Sequence, residues 1–337
     1  MRKIVGWILA LLLISAAAAR ADTEIVLTLG GDCVLGTREE WMGTPGNFMD
    51  AVDQNGLDWC FSGIAELFGE DDLTLVNLEC VLQDASTGHN FRKQHTFRGL
   101  PAYTRMLTGA SVEAVNVANN HFVDYGQTGR KSTLGALDAA GIFYCGYRHL
   151  FVFEKDGIKI GFGGCRETVF YEENKAYIYR DIQELKALGC DAVVYSCHWG
   201  TEYSPLHNGR QEAMAQYAVN SGADLVVGTH AHVPQGVENR DGCAVIYGLG
   251  NLVFGGTREL TTFDALLARA ALRFDDDHRY LGVSIELIPV LTSGSAPAND
   301  FRPVPAAGEA AERILSLVQA DSALDVLHTL WIASERP

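Results

Sequence analysis

The chain is short of positive charge and has no long apolar run beyond its first residues. Its 26 Lys and Arg stand against 42 Asp and Glu, a formal net charge of −16. A surface with that balance repels polyanions, which argues against nucleic acid or an anionic membrane as partner. Within a cleft, a few Arg or a metal ion reverses the local field. No segment after the first twenty residues approaches the roughly 20 apolar residues that a bilayer span needs. None of the eight cysteines (33, 60, 80, 145, 165, 190, 197 and 243) pairs at the Cys-x-x-Cys spacing of a zinc knuckle or redox motif. Most lie in apolar runs, where a free thiol packs as a small hydrophobe, so few disulfides or none are expected. The chain also lacks internal repeats and low-complexity tracts.

What is present begins with a leader pattern. Arg2 and Lys3 precede an uncharged run, residues 4–19, and Ala19-Arg20-Ala21 offers small residues at the two positions that signal peptidase reads. The expectation is an exported protein (secreted, periplasmic or attached to the cell envelope) with Asp22 as mature N-terminus. The alternative is an uncleaved N-terminal anchor. The remainder suits one large domain or two small ones.

Short apolar runs then alternate with amphipathic stretches. Strands are expected at 25–30, 73–78, 112–118, 142–145, 151–153, 158–163, 192–197, 225–228 and 244–247. Helices are expected at 57–68, 101–108, 128–140, 182–188 and 210–220, two of them closed by Gly141 and Gly189. That order argues an α/β fold with much parallel pairing. Late strands at 268–274 and 281–289 read as antiparallel. After Pro289 a Ser, Ala, Pro and Gly-rich segment reads as a linker, and 309–332 has helical spacing. The domain limits read from this are 22–290, followed by 291–337 as linker and helical extension.

The strand exits carry the functional signal. "IVLTLGGD" ends at Asp32 and "LTLVNLE" at Glu79. "VEAVNVANNH" ends at Asn119, Asn120 and His121, "AVVYSCHWG" reaches His198, and "LVVGTHAH" reaches His230 and His232. Each residue alone has an ordinary reading as a turn, a helix cap or a half-buried histidine. Together, five strands deliver metal-binding or proton-transferring side chains in the same register, and ligands of open α/β sheets sit at the carboxyl ends of strands. Two carboxylates, one amide and three imidazoles form a mixed oxygen and nitrogen shell. It suits divalent Zn, Mn or Fe better than Ca or Mg. Six ligands exceed one tetrahedral site, so one or two ions are expected.

These residues sit in motifs that resemble a known family. "GDCVLG" (31–36), "VNLEC" (76–80), "ANNHFVDYG" (118–126), "HWGTEY" (198–203), "GTHAHVPQGVE" (228–238) and "IYGLGNLVF" (246–254) resemble the CapA proteins of bacterial capsule and poly-γ-glutamate synthesis. That group is related to calcineurin-like metallophosphoesterases. The resemblance implies a four-layer αββα sandwich of the metallo-dependent phosphatase type. It implies Asp32, Glu79 and His232 on one ion, and Glu79, Asn120, His198 and His230 on the other, with His121 as proton donor. Arg98 would clamp a substrate carboxylate or phosphate, Asp124 would orient His121, and Glu202 would act as general base or support. Cys33 and Cys80 each follow a proposed ligand and are the pair closest to bonding. The sequence departs from the phosphoesterase pattern at three places: Val34 replaces a histidine, Glu79 an aspartate and Asn119 a glycine.

The implied function is a metal-dependent hydrolase-type cleft, acting on a phosphoester or γ-glutamyl amide in capsule or polyglutamate synthesis. The alternative is a non-catalytic accessory of the synthesis and export complex. Implied partners are a cell-envelope polymer or small anionic substrate and membrane-bound capsule synthesis proteins.

Overall fold

The structure, a computed structural model, describes residues 22–335. The leader pattern lies outside them. The strands sort into two large sheets. In the first, Thr23–Val34 pairs in parallel with Leu73–Leu78, which continues through Ala114–Asn116 to Phe143–Cys145. On its other side Thr23–Val34 pairs antiparallel with Asp264–Phe274, and that strand with Tyr280–Leu291. In the second sheet, Ile158–Arg166, Ala192–His198, Leu225–Thr229 and Cys243–Ile246 run parallel. Antiparallel strands Phe151–Lys155 and Val237–Arg240 close its two edges.

Alternation along the strands explains the stacking, because successive side chains face opposite sides of a sheet. Ile25, Leu27 and Leu29 point inward and meet Ile160, Val194 and Leu225 of the second sheet in one buried core. On the outer face of the first sheet, Val76, Leu78 and Val115 pack against Phe48, Val52, Leu107 and Leu137 from the helices Phe48–Asn55, Thr104–Gly109 and Gly126–Ala140. On the outer face of the second, Val193, Tyr195 and Cys197 pack against the helices Ala176–Ala187 and Gly209–Ser221. The order is helix, sheet, sheet, helix, the αββα sandwich expected. Each fully buried Val, Leu or Ile contributes roughly 1.5–3 kcal/mol to holding those layers together.

Two local expectations are corrected, and one element is added. The helix expected at 57–68 forms earlier, at Phe48–Asn55, where the Asn47 side chain accepts from Asp50 N at 3.0 Å as N-cap. Gly56, at φ +91°, ends it. The apolar residues Phe61, Ile64 and Phe68 reach the core through turns and the single helical turn Ala65–Phe68. At the C-terminus the helix stops at Ala320, and Leu330–Ala333 instead adds to the first sheet against Tyr280–Leu291. Ile332 is buried there and Trp331 exposed, a two-residue alternation that helical spacing had hidden. Finally, Asn251–Phe254 is a short strand paired in parallel with the end of Thr23–Val34, an element not anticipated.

Candidate metal centre

The parallel strands of both sheets end at one edge, and the candidate residues meet there. Thr23–Val34 breaks register between Leu29 and Asp32. Gly31 makes this possible: a Cβ there would lie 2.0 Å from the Gly250 carbonyl oxygen. The close approach lets Asp32 N donate to Gly250 O at 2.9 Å and turns the Asp32 carboxylate to the seam. Its Oδ1 accepts from Asn77 Nδ2 at 2.7 Å and its Oδ2 from the His230 backbone N–H at 3.0 Å. His230 and His232 both have left-handed backbones, φ +91° and +57°. Such conformations cost about 1–3 kcal/mol each in a non-glycine residue and gather at functional sites.

Glu79 is fully buried, and neither carboxylate oxygen has a hydrogen-bond partner. Burial, then the neighbouring Asp32 charge, pushes its pKa up to about 8. His198 Nε2 lies 3.4 Å from Glu79 Oε1 and 2.8 Å from Asn120 Oδ1. Burial drives both His198 and His230 down to about 3. They are therefore neutral at pH 7, with ring lone pairs available. Burial also opposes charge on His232, but Glu79 and Asp32 outweigh it and lift that residue to about 9. Asp32 is raised by burial and lowered further by His232, to about 2.

Ionised, Glu79 would be a buried charge with no hydrogen-bond donor, which is costly in a protein interior, so without a cation it holds its proton. A divalent cation removes the conflict. Two ligands about 2.1 Å from one ion at ordinary bond angles stand roughly 3.0–3.4 Å apart, close to the separations of His198 from Glu79 and Asn120. Glu79, His230 and His232 each offer a ligand atom, all within 4.8 Å of one another. His232 Nδ1 is 2.8 Å from Asn251 Oδ1 and 3.2 Å from Asp32 Oδ2, which leaves its other nitrogen to face a cation. The residues present fit a divalent metal.

His121 stands beside this group and is buried. Its Nδ1 is 2.7 Å from Asp124 Oδ2, and its ring stacks on Phe97 with centroids 4.1 Å apart. Asp124 is completely buried; it also accepts from Phe97 N at 2.8 Å and pairs with Lys93. Lys93 Nζ donates in turn to the Asn120 carbonyl at 2.8 Å. Asn119 builds the turn: its Oδ1 accepts from His121 N and Phe122 N, and its Nδ2 donates to Leu78 O. Glu202 is exposed, and its charge acts on Glu79, His230 and His232.

Arg98 corrects an expectation. Its Nε and Nη2 donate to the two Glu39 oxygens at 2.8 and 3.2 Å, and Nη1 to the carbonyls of Gln83 and Asp84. The fork is spent on a structural ion pair, so Arg98 is not a substrate clamp. Cys33 and Cys80 are free buried thiols, as are five of the other six cysteines, Cys190 being half-buried. Sequence reasoning missed Asn77, whose Oδ1 accepts from Asn116 and Asn119 while its Nδ2 holds Asp32. A lone amide inside the apolar run "LTLVNL" was its only signal. Lys93 and Asn251 were missed as well.

The profile of the family described as "Bacterial capsule synthesis protein PGA_cap" matches residues 26–256. The chain belongs to this family. The matched span contains all ten candidate site residues. Among relatives, the chain is 27% identical over 280 residues to the capsule biosynthesis protein CapA of Bacillus anthracis, covering 75% of this chain and 65% of that one. It is 28% identical over 305 residues to the PGA biosynthesis protein CapA of Bacillus subtilis, covering 83% and 77%. The chain thus spans somewhat less than two thirds of the first relative. A hypothetical protein of known structure from Thermus thermophilus aligns over 79% of this chain and 99% of its own, at 18% identity and TM-score 0.47. No helix among the described residues is long and apolar enough to cross a membrane.

Proposed function

We propose that this PGA_cap protein acts in capsule or poly-γ-glutamate synthesis as an exported, metal-dependent hydrolase. Its substrate is a phosphoester or γ-glutamyl amide of a cell-envelope polymer or small anionic molecule. The observation that carries the reading is Glu79, a buried carboxyl group with both oxygens unpartnered beside the neutral imidazoles of His198 and His230. Asp32, Glu79 and His232 would hold one divalent ion, and Glu79, Asn120, His198 and His230 a second, with Mn, Zn or Fe favoured by the donor set. A bound ion of this kind polarises the electrophile and makes water a better nucleophile at neutral pH. His121, steered by the carboxylate of Asp124, gives its proton to the leaving group. The exposed Glu202 carboxylate serves at the rim as base or support. Export rests on the leader pattern at residues 1–21.

The test is direct. Purified protein is expected to retain a transition metal by elemental analysis and to turn over members of a panel of phosphomonoesters, phosphodiesters and γ-glutamyl peptides. His121→Ala is expected to lower kcat by roughly 10²–10⁴-fold with metal content unchanged. Fully loaded wild type that turns over nothing on the panel would sink the hydrolase reading. One observation favours a second reading, that of a non-catalytic accessory subunit. Val34 is buried and cannot ligate where phosphoesterases carry a histidine, so the first site has fewer ligands. Co-purification with membrane-bound capsule synthesis proteins, without turnover, supports that reading.

A further inference from the structure

We propose that a pocket beside the metal centre is the anion subsite of the same cleft, binding a carboxylate or phosphate group of the substrate between Arg130 and Arg166. The inference rests on the hydrolase reading only in assigning the pocket to that cleft. The pocket has a volume of about 170 Å³, and its lining includes Ala118, Arg130, Tyr147, Arg148, Arg166 and Asp181. Sites for drug-sized ligands run to roughly 300–1,000 Å³, so this one holds a group rather than a whole substrate.

Its charge runs against the rest of the molecule. Three arginines line it against two acids, Glu173 and Asp181, in a chain of net −16. Arg148 is spent on Asp181 and Glu184. The other two guanidiniums are not. Arg166 Nη2 is 3.7 Å from Glu173, and its Nε is buried with no hydrogen-bond partner. Arg130 has no carboxylate or carbonyl partner among the described residues; its guanidinium lies over the rings of Phe122 and Tyr147 at 5.3 and 5.2 Å. Arg166 lies over the same Tyr147 ring at 5.8 Å. Two cations held on one aromatic ring gain from its face but repel each other. An oxyanion shared between them cancels that repulsion and uses the free donors, for which a planar guanidinium fork is suited.

The pocket shares a wall with the metal centre. Arg166 stands in register with His198 on the adjacent parallel strand, and such neighbours are about 4.8 Å apart. Ala118 lines the pocket and immediately precedes Asn119-Asn120. The Tyr147 hydroxyl donates to the Asn119 carbonyl at 2.9 Å. An oligoanion lying across this wall puts one acidic group in the pocket while a neighbouring linkage reaches the metals. A γ-linked glutamate chain offers a free α-carboxylate at every residue, and a phosphate-linked polymer offers a phosphate.

The experiment measures binding without turnover. Metal-stripped protein is titrated calorimetrically with γ-linked triglutamate and, separately, with inorganic phosphate, for wild type, Arg130→Gln, Arg166→Gln and the two Arg→Lys variants. At least one probe is expected to bind wild type, with at least tenfold loss in each Gln variant, partial retention in the Lys variants, and metal reloading unchanged. Tighter triglutamate binding assigns the subsite to a carboxylate, and tighter phosphate binding to a phosphate. No binding of either probe to wild type, or Gln variants that bind as wild type does, overturns the proposal. If Arg166→Gln does not fold, the more peripheral Arg130→Gln decides. A protein that binds through these arginines but turns over nothing overturns the hydrolase reading alone. An active enzyme with arginine-independent binding overturns the subsite alone.

Discussion

Glu79 is the residue on which the candidate centre turns. In the metal-free fold its pKa is raised, first by burial and then by Asp32, from 4.5 to about 8. An acid with a raised folded pKa ionises first in the unfolded chain, so its contribution to stability falls as pH rises from about 4.5 to about 8. Glu79→Gln removes that term. Under chelation the variant is expected to gain stability over wild type, with the gain near zero at pH 4 and largest above pH 8 in urea melts. The same variant is expected to lose metal affinity, read by elemental analysis. A variant equally stable at both pH values, with full metal content, would contradict this account. The convergence of Asp32, Glu79, Asn120, His198, His230 and His232 was legible, because each lies at or just past the end of an apolar strand and those ends share an edge. Arg98 was misread because its partner, Glu39, lies 59 residues away and nothing local announces it. Asn77 was passed over because its role depends on Asp32, Asn116 and Asn119, each reached only through the sheet.

At the scale of elements, the C-terminal helix Glu309–Ala320 is tied to the centre by the residue that follows it. Asp321 accepts from His207 N at 3.1 and 3.2 Å and from Gly236 N at 2.7 Å. His207 Nδ1 lies 2.9 Å from its carboxylate. One side chain thus pins the loop after His198 and the segment after His232. Hydrogen bonds to a charged group contribute about 1.5–3 kcal/mol each, so Asp321→Ala is expected to cost about 3 kcal/mol. Burial disfavours charge on His207, but Asp321 outweighs it and raises its pKa. That stabilisation is complete below the unfolded pKa of 6.5 and is lost as pH rises through the folded value. The penalty of Asp321→Ala is therefore expected to be larger at pH 6 than at pH 9 in thermal melts; an equal penalty would remove His207 from the account. Elements were legible where a strand or helix had its own period, as at 128–140 with Gly141 behind it. They were not where one pattern served two geometries. The apolar residues of 57–68 enter the core through turns, and 330–333 alternates along a strand inside a stretch that also fits a helix.

At the scale of the whole molecule, the candidate ligands come from both halves of the sandwich. Asp32 lies near the end of a first-sheet strand, and Glu79 and Asn120 follow others; His198 ends a second-sheet strand, and His230 and His232 follow another. An ion between them would fasten the two layers at one edge. Binding to the folded state alone stabilises it by mass action. Chelation is therefore expected to lower Tm, and Mn, Zn or Fe to restore it, whereas Mg and Ca, which favour all-oxygen shells, are expected to leave it low. An unchanged Tm would show that no ion spans the layers. The arrangement also sets an order of events. The ligand set spans positions 32 to 232, and parallel pairings between distant segments form late because long loops must close first. A chain with only its first sheet in place offers two carboxylates and an amide but no imidazole shell. Capture of an ion would then await both sheets, and the ion content of a preparation would count the molecules that have finished folding.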